Sequence, residues 1–206
     1  MFLIILMFIL SYLLGSLMPG LWIGQVFYHK DIRDEGSGNI GTTNSFRVLG
    51  PVAGVVTLTL DLLKGTAAGL LPLLFHSHIN PMLVGIAAII GHTFSIWLKF
   101  KGGKAVATSA GVLLAYNPQF FMLVILIFIL ILILTSMVSL SAMISFSFAV
   151  ITSLFYHDFT LTFVAAILTI FVFYRHRSNI KRIKNGTEST VPFGIYAMIR
   201  KKNNKK

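Results

Sequence analysis

Long uncharged apolar runs, separated by short basic clusters, confine this chain to a lipid bilayer. A helical span needs roughly 20 apolar residues, or about 17 at the short end. Runs of about that length cover 2–27, 51–75, 81–98, 119–134, 140–155 and 159–173. A shorter run, 105–115, is broken by Asn117-Pro118. Only 11% of the residues are charged, against ~25% in a soluble domain. The expected fold is therefore all-α: a polytopic integral membrane helical bundle of about seven transmembrane helices, one of them short. The short run makes five spans arguable as well, and seven is the expectation adopted. Residues 1–206 are read as a single membrane domain with no internal repeat, unlike transporters built from inverted halves.

The distribution of positive charge orients the threading. Of the 17 Lys and Arg residues, all but Lys64 fall at 30–47, 99–104, 175–184 or 200–206, on one side of the threading. By the positive-inside rule that side is cytoplasmic. An odd number of spans puts the N-terminus outside and the C-terminus inside. The first run has no basic residues before it and no small-residue cleavage site, so it reads as a retained span and not as a signal peptide. Net charge +11 can suggest nucleic acid, but basic residues at helix ends and in a tail are explained by topology and anionic lipid. No nucleic-acid partner is expected. With no Cys, disulfides, a thiol nucleophile and thiolate metal sites are excluded. No carboxylate cluster calls for a metal, and no cofactor is expected; the grouping of Asp31, Asp34 and Glu35 is explained by loop solvation.

Three polar segments on the basic side, about 28–50, 99–109 and 174–190, carry the chemistry. The first contains EGSGNIGTTNSFR. Gly36, Gly38 and Gly41 match the dinucleotide pattern G-x-G-x-x-G literally, but no strand precedes them. His29 and Asp34 match a His-x4-Asp acyltransferase pattern whose soluble α/β domain has no room here. Glycines still let backbone N–H groups converge on an anion. Ser37, Asn39, Thr42, Thr43 and Asn44 add polar groups, and Arg47 adds a bidentate cation. A flexible interhelical loop is the bland alternative.

The second segment places Gly102, Gly103 and Lys104 before a helical stretch, where unpaired N–H groups and a partial positive charge favour phosphate. Thr108 follows one turn later. The alternative is a basic turn that serves only topology. The third segment, YRHRSNIKRIKNGTES, reads as a helix with His176, Asn179, Ile180 and Ile183 on one face and Arg177, Lys181 and Lys184 on the other. The alternative is a juxtamembrane anchor. Asn185-Gly186-Thr187 is formally a glycosylation sequon, made moot by an inside location. Within the spans, Asp61 and Lys64 stand at i, i+3 and are expected to pair. Ser139 and Ser141 lie in a polar interruption, 136–141. His92 lies near the inner face, as a packed hydrogen-bonding residue or a catalyst.

In their order and spacing, GSGNIGTTN…R, GH…KFKGGKAVAT and RHRSNIKRIKNGTE resemble the bacterial acyl-phosphate:glycerol-3-phosphate acyltransferase family (PlsY type). The resemblance covers essentially the full length. It implies a seven-helix enzyme of the bacterial cell membrane, with its active site facing the cytoplasm. It implies transfer of a fatty acyl group from a long-chain acyl phosphate to the 1-hydroxyl of glycerol 3-phosphate, giving lysophosphatidic acid and phosphate. Carried over by motif, Ser37, Arg47, Lys104, His176 and Asn179 are the expected catalytic residues. Gly36, Gly38, Asn39, Gly41, Thr42, Asn44, Gly102, Gly103, Thr108, Ser139, Ser141 and Arg182 are expected to bind substrate phosphate. Asp61, Lys64 and Glu188 are expected to be structural. The rival classes are an anion transporter, which calls for polar residues across the whole bilayer, and a non-enzymatic membrane subunit, which has no need of phosphate-binding segments.

Overall fold

The computed structural model describes residues 1–203. Of the basic tail 200–206, residues 204–206 lie outside the described residues. The described chain is helical, with no strand. Its helices are α1 (Phe2–Ser16), α2 (Pro19–Tyr28), α3 (Thr42–Val48), α4 (Pro51–Leu74), α5 (Pro81–Thr93), α6 (Val106–Tyr116), α7 (Pro118–Thr135), α8 (Val138–Ser153), α9 (Phe159–Arg175), α10 (Arg177–Lys184) and α11 (Ile195–Asn203).

Four stretches are long and apolar enough to cross a membrane singly: Pro51–Leu74, Pro81–Leu98, Pro118–Thr135 and Val138–Tyr156. Two bent pairs bring the number to six: α1 with α2, bent by 41°, and α9 with α10, bent by 61°. The 11-residue α6, apolar but shorter than these spans, is the short segment of the expected seven. Proline accounts for the first bend. Pro19 opens α2 at its first position, and the residues before it are pushed out of helical geometry; Leu17 is extended at φ −63°, ψ 134°. Other starts follow capping rules. The Asn80 side chain accepts from Met82 N (2.9 Å) ahead of Pro81, and Asp158 Oδ1 accepts from Leu161 N (3.0 Å) ahead of α9.

Backbone contacts divide the chain into two compact units, Met1–Pro118 and Gln119–Lys206. In the first, α4 packs on α6 and α1 on α5. Small residues permit the α4–α6 approach: a Cβ on Gly65 would run into the Thr108 carbonyl, and one on Gly111 into that of Leu62. Close backbone approach through small residues is how helices associate where lipid removes the hydrophobic drive. Polar side chains bridge the same helices, with Ser11 Oγ donating to Val84 O (2.6 Å) and Thr66 Oγ1 to Gly111 O (3.1 Å). Met18, Leu21, Ile32, Ile40, Leu49 and Ala53 form a buried apolar cluster that brings α2 and α4 together with the ends of the segment between α2 and α3.

In the second unit α8 packs on α9, and Thr169 Oγ1 of α9 donates to Phe146 O of α8 (3.0 Å). Nearly all of α7 is uncovered by protein, as a lipid-facing helix made of Leu, Ile, Val and Phe requires. The break between α7 and α8 is shorter than the expected interruption at 136–141. Only Ser136 and Met137 leave the helix, and Ser136 takes φ +57°. That buried serine is a docking point for the C-terminal segment: Val191 N donates to its carbonyl (2.8 Å) and Ala197 N to its hydroxyl (3.1 Å). Gly194 lies against it with φ +97°, where a Cβ would meet the Ser136 hydroxyl at 2.5 Å.

Candidate active site

The first polar segment is a braced turn followed by a helix, where the sequence suggested a glycine loop throughout. Residues 42–48 form α3, capped by extended Gly41. Its centre is Asn44, only 1% exposed. Asn44 Nδ2 donates to the carbonyls of Ile32 (2.7 Å) and Glu35 (3.1 Å). Its Oδ1 accepts from Ser37 N (2.9 Å), Ser37 Oγ (3.2 Å) and Arg47 Nη1 (3.4 Å). The amide thus cinches residues 32–37 onto α3, and Ser37 and Arg47 are held by one atom. Gly36 and Gly38 take φ +64° and +67°, a region that L side chains rarely adopt. Asn39 Oδ1 accepts from Gly41 N (2.9 Å). Both N–H groups bonded to these asparagine oxygens are turned inward, so the anion-binding capacity here rests on the exposed Ser37 and Arg47 side chains. Asp31 is held at a pKa of about 2 by its hydrogen bond with the Arg33 guanidinium, which outweighs burial.

The second segment leaves α5 through a turn with three left-handed non-glycine residues, Lys99 (φ 51°), Phe100 (59°) and Ala105 (56°). Such residues persist only where the surroundings over-determine them. Here the surroundings are the end of α5. Gly103 N donates to His92 O (3.1 Å). A Cβ on Gly102 would strike the His92 and Thr93 carbonyls, and one on Gly103 the His92 ring at Nε2. The two glycines are needed because this turn lies directly on α5. Lys104 is half-buried, and Thr108 is fully buried with Oγ1 3.2 Å from His92 Nδ1. Thr108 therefore faces the interior of α4–α6.

Beneath that turn lies an ionic cluster. Asp61 and Lys64, 2% and 5% exposed, pair at 2.7 Å as expected. Lys64 Nζ is also 2.6 Å from the Leu17 carbonyl and 2.7 Å from His92 Nδ1, and Asp61 Oδ1 is 3.5 Å from the same ring nitrogen. An open apolar groove of about 400 Å³ runs past the other side of Lys64, lined by Leu14, Leu17, Trp22, Phe27 and Leu63 among others.

The third segment is organised by Glu188. Its Oε1 accepts from Ser139 Oγ (2.7 Å) and Asn179 Nδ2 (2.6 Å), and its Oε2 from Arg182 Nε (2.7 Å). Burial raises the pKa of this carboxyl, but hydrogen bonds from Asn179, Ser139 and Arg182 win and hold it below its ordinary value. α10 has the two faces the sequence suggested: His176 and Asn179 buried, Arg177, Lys181 and Lys184 exposed. His176 Nδ1 donates to Val172 O (2.8 Å), which leaves Nε2 as the basic atom of the neutral ring. Ser141 Oγ donates back to Met137 O (2.9 Å) within its own helix. The Glu188 hub joins residues expected in three roles, Asn179 as catalytic, Ser139 and Arg182 as phosphate-binding and Glu188 itself as structural, and only the shared motif brought Glu188 and Asn179 together in the sequence.

An all-helical bundle of long apolar helices, with Gly-rich basic turns and buried polar clusters, defines an integral membrane protein. Comparison with known proteins makes this specific. The family described as Glycerol-3-phosphate acyltransferase matches residues 5–186. A "Glycerol-3-phosphate acyltransferase" of Latilactobacillus sakei is 56% identical, covering 96% of this chain and 97% of that protein. One from Limosilactobacillus reuteri is 58% identical, covering 97% of each. The crystal structure of PlsY (YgiH), an integral membrane glycerol 3-phosphate acyltransferase, in its glycerol 3-phosphate form, superposes with a TM-score of 0.85 at 32% identity, covering 91% of this chain and 94% of that one. Its lysophosphatidic acid form gives 0.81 at 31%, covering 90% and 94%. The chain belongs to the glycerol-3-phosphate acyltransferase family.

Proposed function

We propose that this acyltransferase takes a fatty acyl group from a long-chain acyl phosphate and passes it to the 1-hydroxyl of glycerol 3-phosphate, releasing lysophosphatidic acid and phosphate. Both substrates carry a phosphate, so two anion sites are needed. The Ser37/Arg47 pair, the Gly102–Gly103–Lys104 turn and the basic third segment supply the groups. Relatives named for glycerol 3-phosphate and lysophosphatidic acid support the acceptor and product. The chain works as one membrane domain, its N-terminus outside and its three polar segments and C-terminus on the cytoplasmic face. Membrane lipid is the medium from which the acyl donor arrives.

The reaction is direct attack without a covalent acyl-enzyme. The donor is a mixed anhydride with a good leaving group. The observation that carries this is the partner of Ser37: its hydroxyl donates to the amide oxygen of Asn44, and an amide oxygen is no base to make it a nucleophile. Catalysis then rests on positioning and electrostatic stabilisation. Arg47 and Lys104 hold phosphate and stabilise developing charge. Ser37, its single O–H turning from Asn44 Oδ1 to the substrate, and Asn179 donate hydrogen bonds to phosphate or to the carbonyl oxyanion. The attacking hydroxyl's proton passes to the departing phosphate.

The second reading makes His176 a base, favoured by its Nδ1–H bond to Val172 O, which fixes the neutral tautomer with its lone pair on Nε2. Purified protein in lipid, given glycerol 3-phosphate with palmitoyl phosphate, palmitoyl-CoA or palmitoyl carrier protein in parallel, tests the donor. Product from palmitoyl phosphate alone supports the proposal, and product only from a thioester refutes it. A loss of about tenfold in His176→Gln rejects the base, whereas a loss of ~10²–10⁴ supports it.

A further inference from the structure

The cluster beneath the Gly102–Gly103–Lys104 turn has a proton arrangement that its geometry fixes. An ammonium has three N–H bonds to give. Lys64 has three neighbours at hydrogen-bond distance: Leu17 O (2.6 Å), Asp61 Oδ1 (2.7 Å) and His92 Nδ1 (2.7 Å). Asp61 Oδ1 lies 2.7 Å from Lys64 Nζ and 3.5 Å from the His92 ring nitrogen, so the lysine is the nearer counter-charge, and an imidazolium beside it would set two like charges 2.7 Å apart. The lysine is therefore the cation, and it donates to the ring nitrogen. Thr108 Oγ1 lies 3.2 Å from the same nitrogen, whose single lone pair takes the lysine's N–H. Nδ1 is thus an acceptor, and the neutral ring carries its proton on Nε2. Nε2 is the atom that Gly103 lies against, with no room for a Cβ between them.

We propose that Asp61, Lys64 and His92 are positioning residues for the phosphate-binding turn: the ion pair locks His92 in its Nε2–H form against Gly103, and the ring and main chain of His92 set the shape of the turn that carries Lys104. The role deepens the acyl-transfer reading and rests on it. It departs from the expectation that Asp61 and Lys64 only hold helices together. It also removes His92 as a base, because its Nδ1 lone pair is engaged by Lys64 and its Nε2 is protonated. The group positioned is a phosphate monoester or an acyl phosphate, and separate titration of the two substrates tells them apart.

The test uses the full chain in lipid nanodiscs. His92→Gln keeps an N–H donor near the Nε2 position, and His92→Phe removes it. The expected result is that His92→Phe raises the KM of one phosphate-bearing substrate by about 10-fold or more, since losing a buried hydrogen bond costs ~1–3 kcal/mol and each 1.4 kcal/mol is tenfold. Its kcat moves far less, and His92→Gln restores KM to within about threefold. The double variant Asp61→Leu with Lys64→Met separates positioning from packing. Balanced apolar replacement of a buried pair is often neutral or stabilising, so this protein should fold with an undiminished melting temperature and still show the raised KM. In ¹⁵N spectra the wild type should show a protonated Nε2 and an unprotonated Nδ1 on His92 at neutral pH, and the double variant should lose that preference. A folded double variant with wild-type KM values, His92→Phe kinetics matching wild type, or a protonated Nδ1 each overturns the proposal. If wild type makes no lysophosphatidic acid from any donor, the acyl-transfer reading fails instead, and the spectra still decide the proton arrangement.

Discussion

Asp61 in the first unit meets a lysine one turn along its own helix, whereas Glu188 in the second meets a serine, an asparagine and an arginine from two helices. Asp61 and Lys64 are both buried within a span. Removing either leaves a bare charge where water does not reach. Glu188 shares its load among neutral donors and an Arg182 whose side chain is 37% exposed, so any single loss is partial. A buried carboxylate with one close counter-ion is thus an all-or-nothing device, and one held by several donors degrades in steps.

The largest effect should come from breaking the first pair on one side only. Lys64→Ala is expected to destabilise the protein by about 3–5 kcal/mol, the cost of a buried ion left unpaired, read as a fall in the unfolding midpoint in detergent. If Glu188→Ala proves more damaging, the contrast between the two carboxylates fails. Gly103→Ala should come next, at ~1–3 kcal/mol for a Cβ forced against a held ring, with activity lost more steeply than stability because the strain falls on the turn bearing Lys104. Glu188→Gln keeps an acceptor for Ser139 and Asn179 but loses the charge facing Arg182, an expected cost of about 1–3 kcal/mol.

The same substitution sharpens the comparison by pH. Glu188 has a lowered native pKa, so its stabilisation is complete above its ordinary value of 4.5 and is lost as pH falls from there through the native value. Acid denaturation curves should therefore show wild type losing its advantage over Glu188→Gln below about pH 4.5, and not between pH 5 and 8. The smallest effect belongs to the exposed loop pair: Arg33→Ala should cost no more than about 1 kcal/mol, as surface ion pairs do, shown by a nearly unchanged melting curve.

The spans were legible because hydrocarbon length leaves few options; the bend at Pro19 within the first run follows from proline geometry. The Asp61–Lys64 pair was legible from helical spacing alone. His92 as its third member was not, since it stands 28 residues from Lys64 and only the α4–α5 packing joins them. The helix α3 was hidden by Thr-Thr-Asn-Ser, residues that ordinarily favour turns; tertiary bonds through Asn44 override that preference. The docking of residues 191–197 on Ser136 had no local signal, because its donors are backbone N–H groups.

That docking, with the Glu188 hub beside it in the chain, has a consequence for biosynthesis. Ser139 and its carboxylate partner are 49 residues apart, a few seconds of translation at ~5–20 residues per second. During that interval the first unit's ionic cluster is already encoded in full, while the α8 serine and the Ser136 clasp await residues not yet made. A ribosome stalled between Lys184 and Glu188 would release a chain with α1 to α10 made and its second cluster lacking the acid. Such a chain would keep every long apolar helix and lose both the Glu188 hub and the Ser136 clasp, so residues 188–197, among the last to be made, complete the second unit's polar bonding.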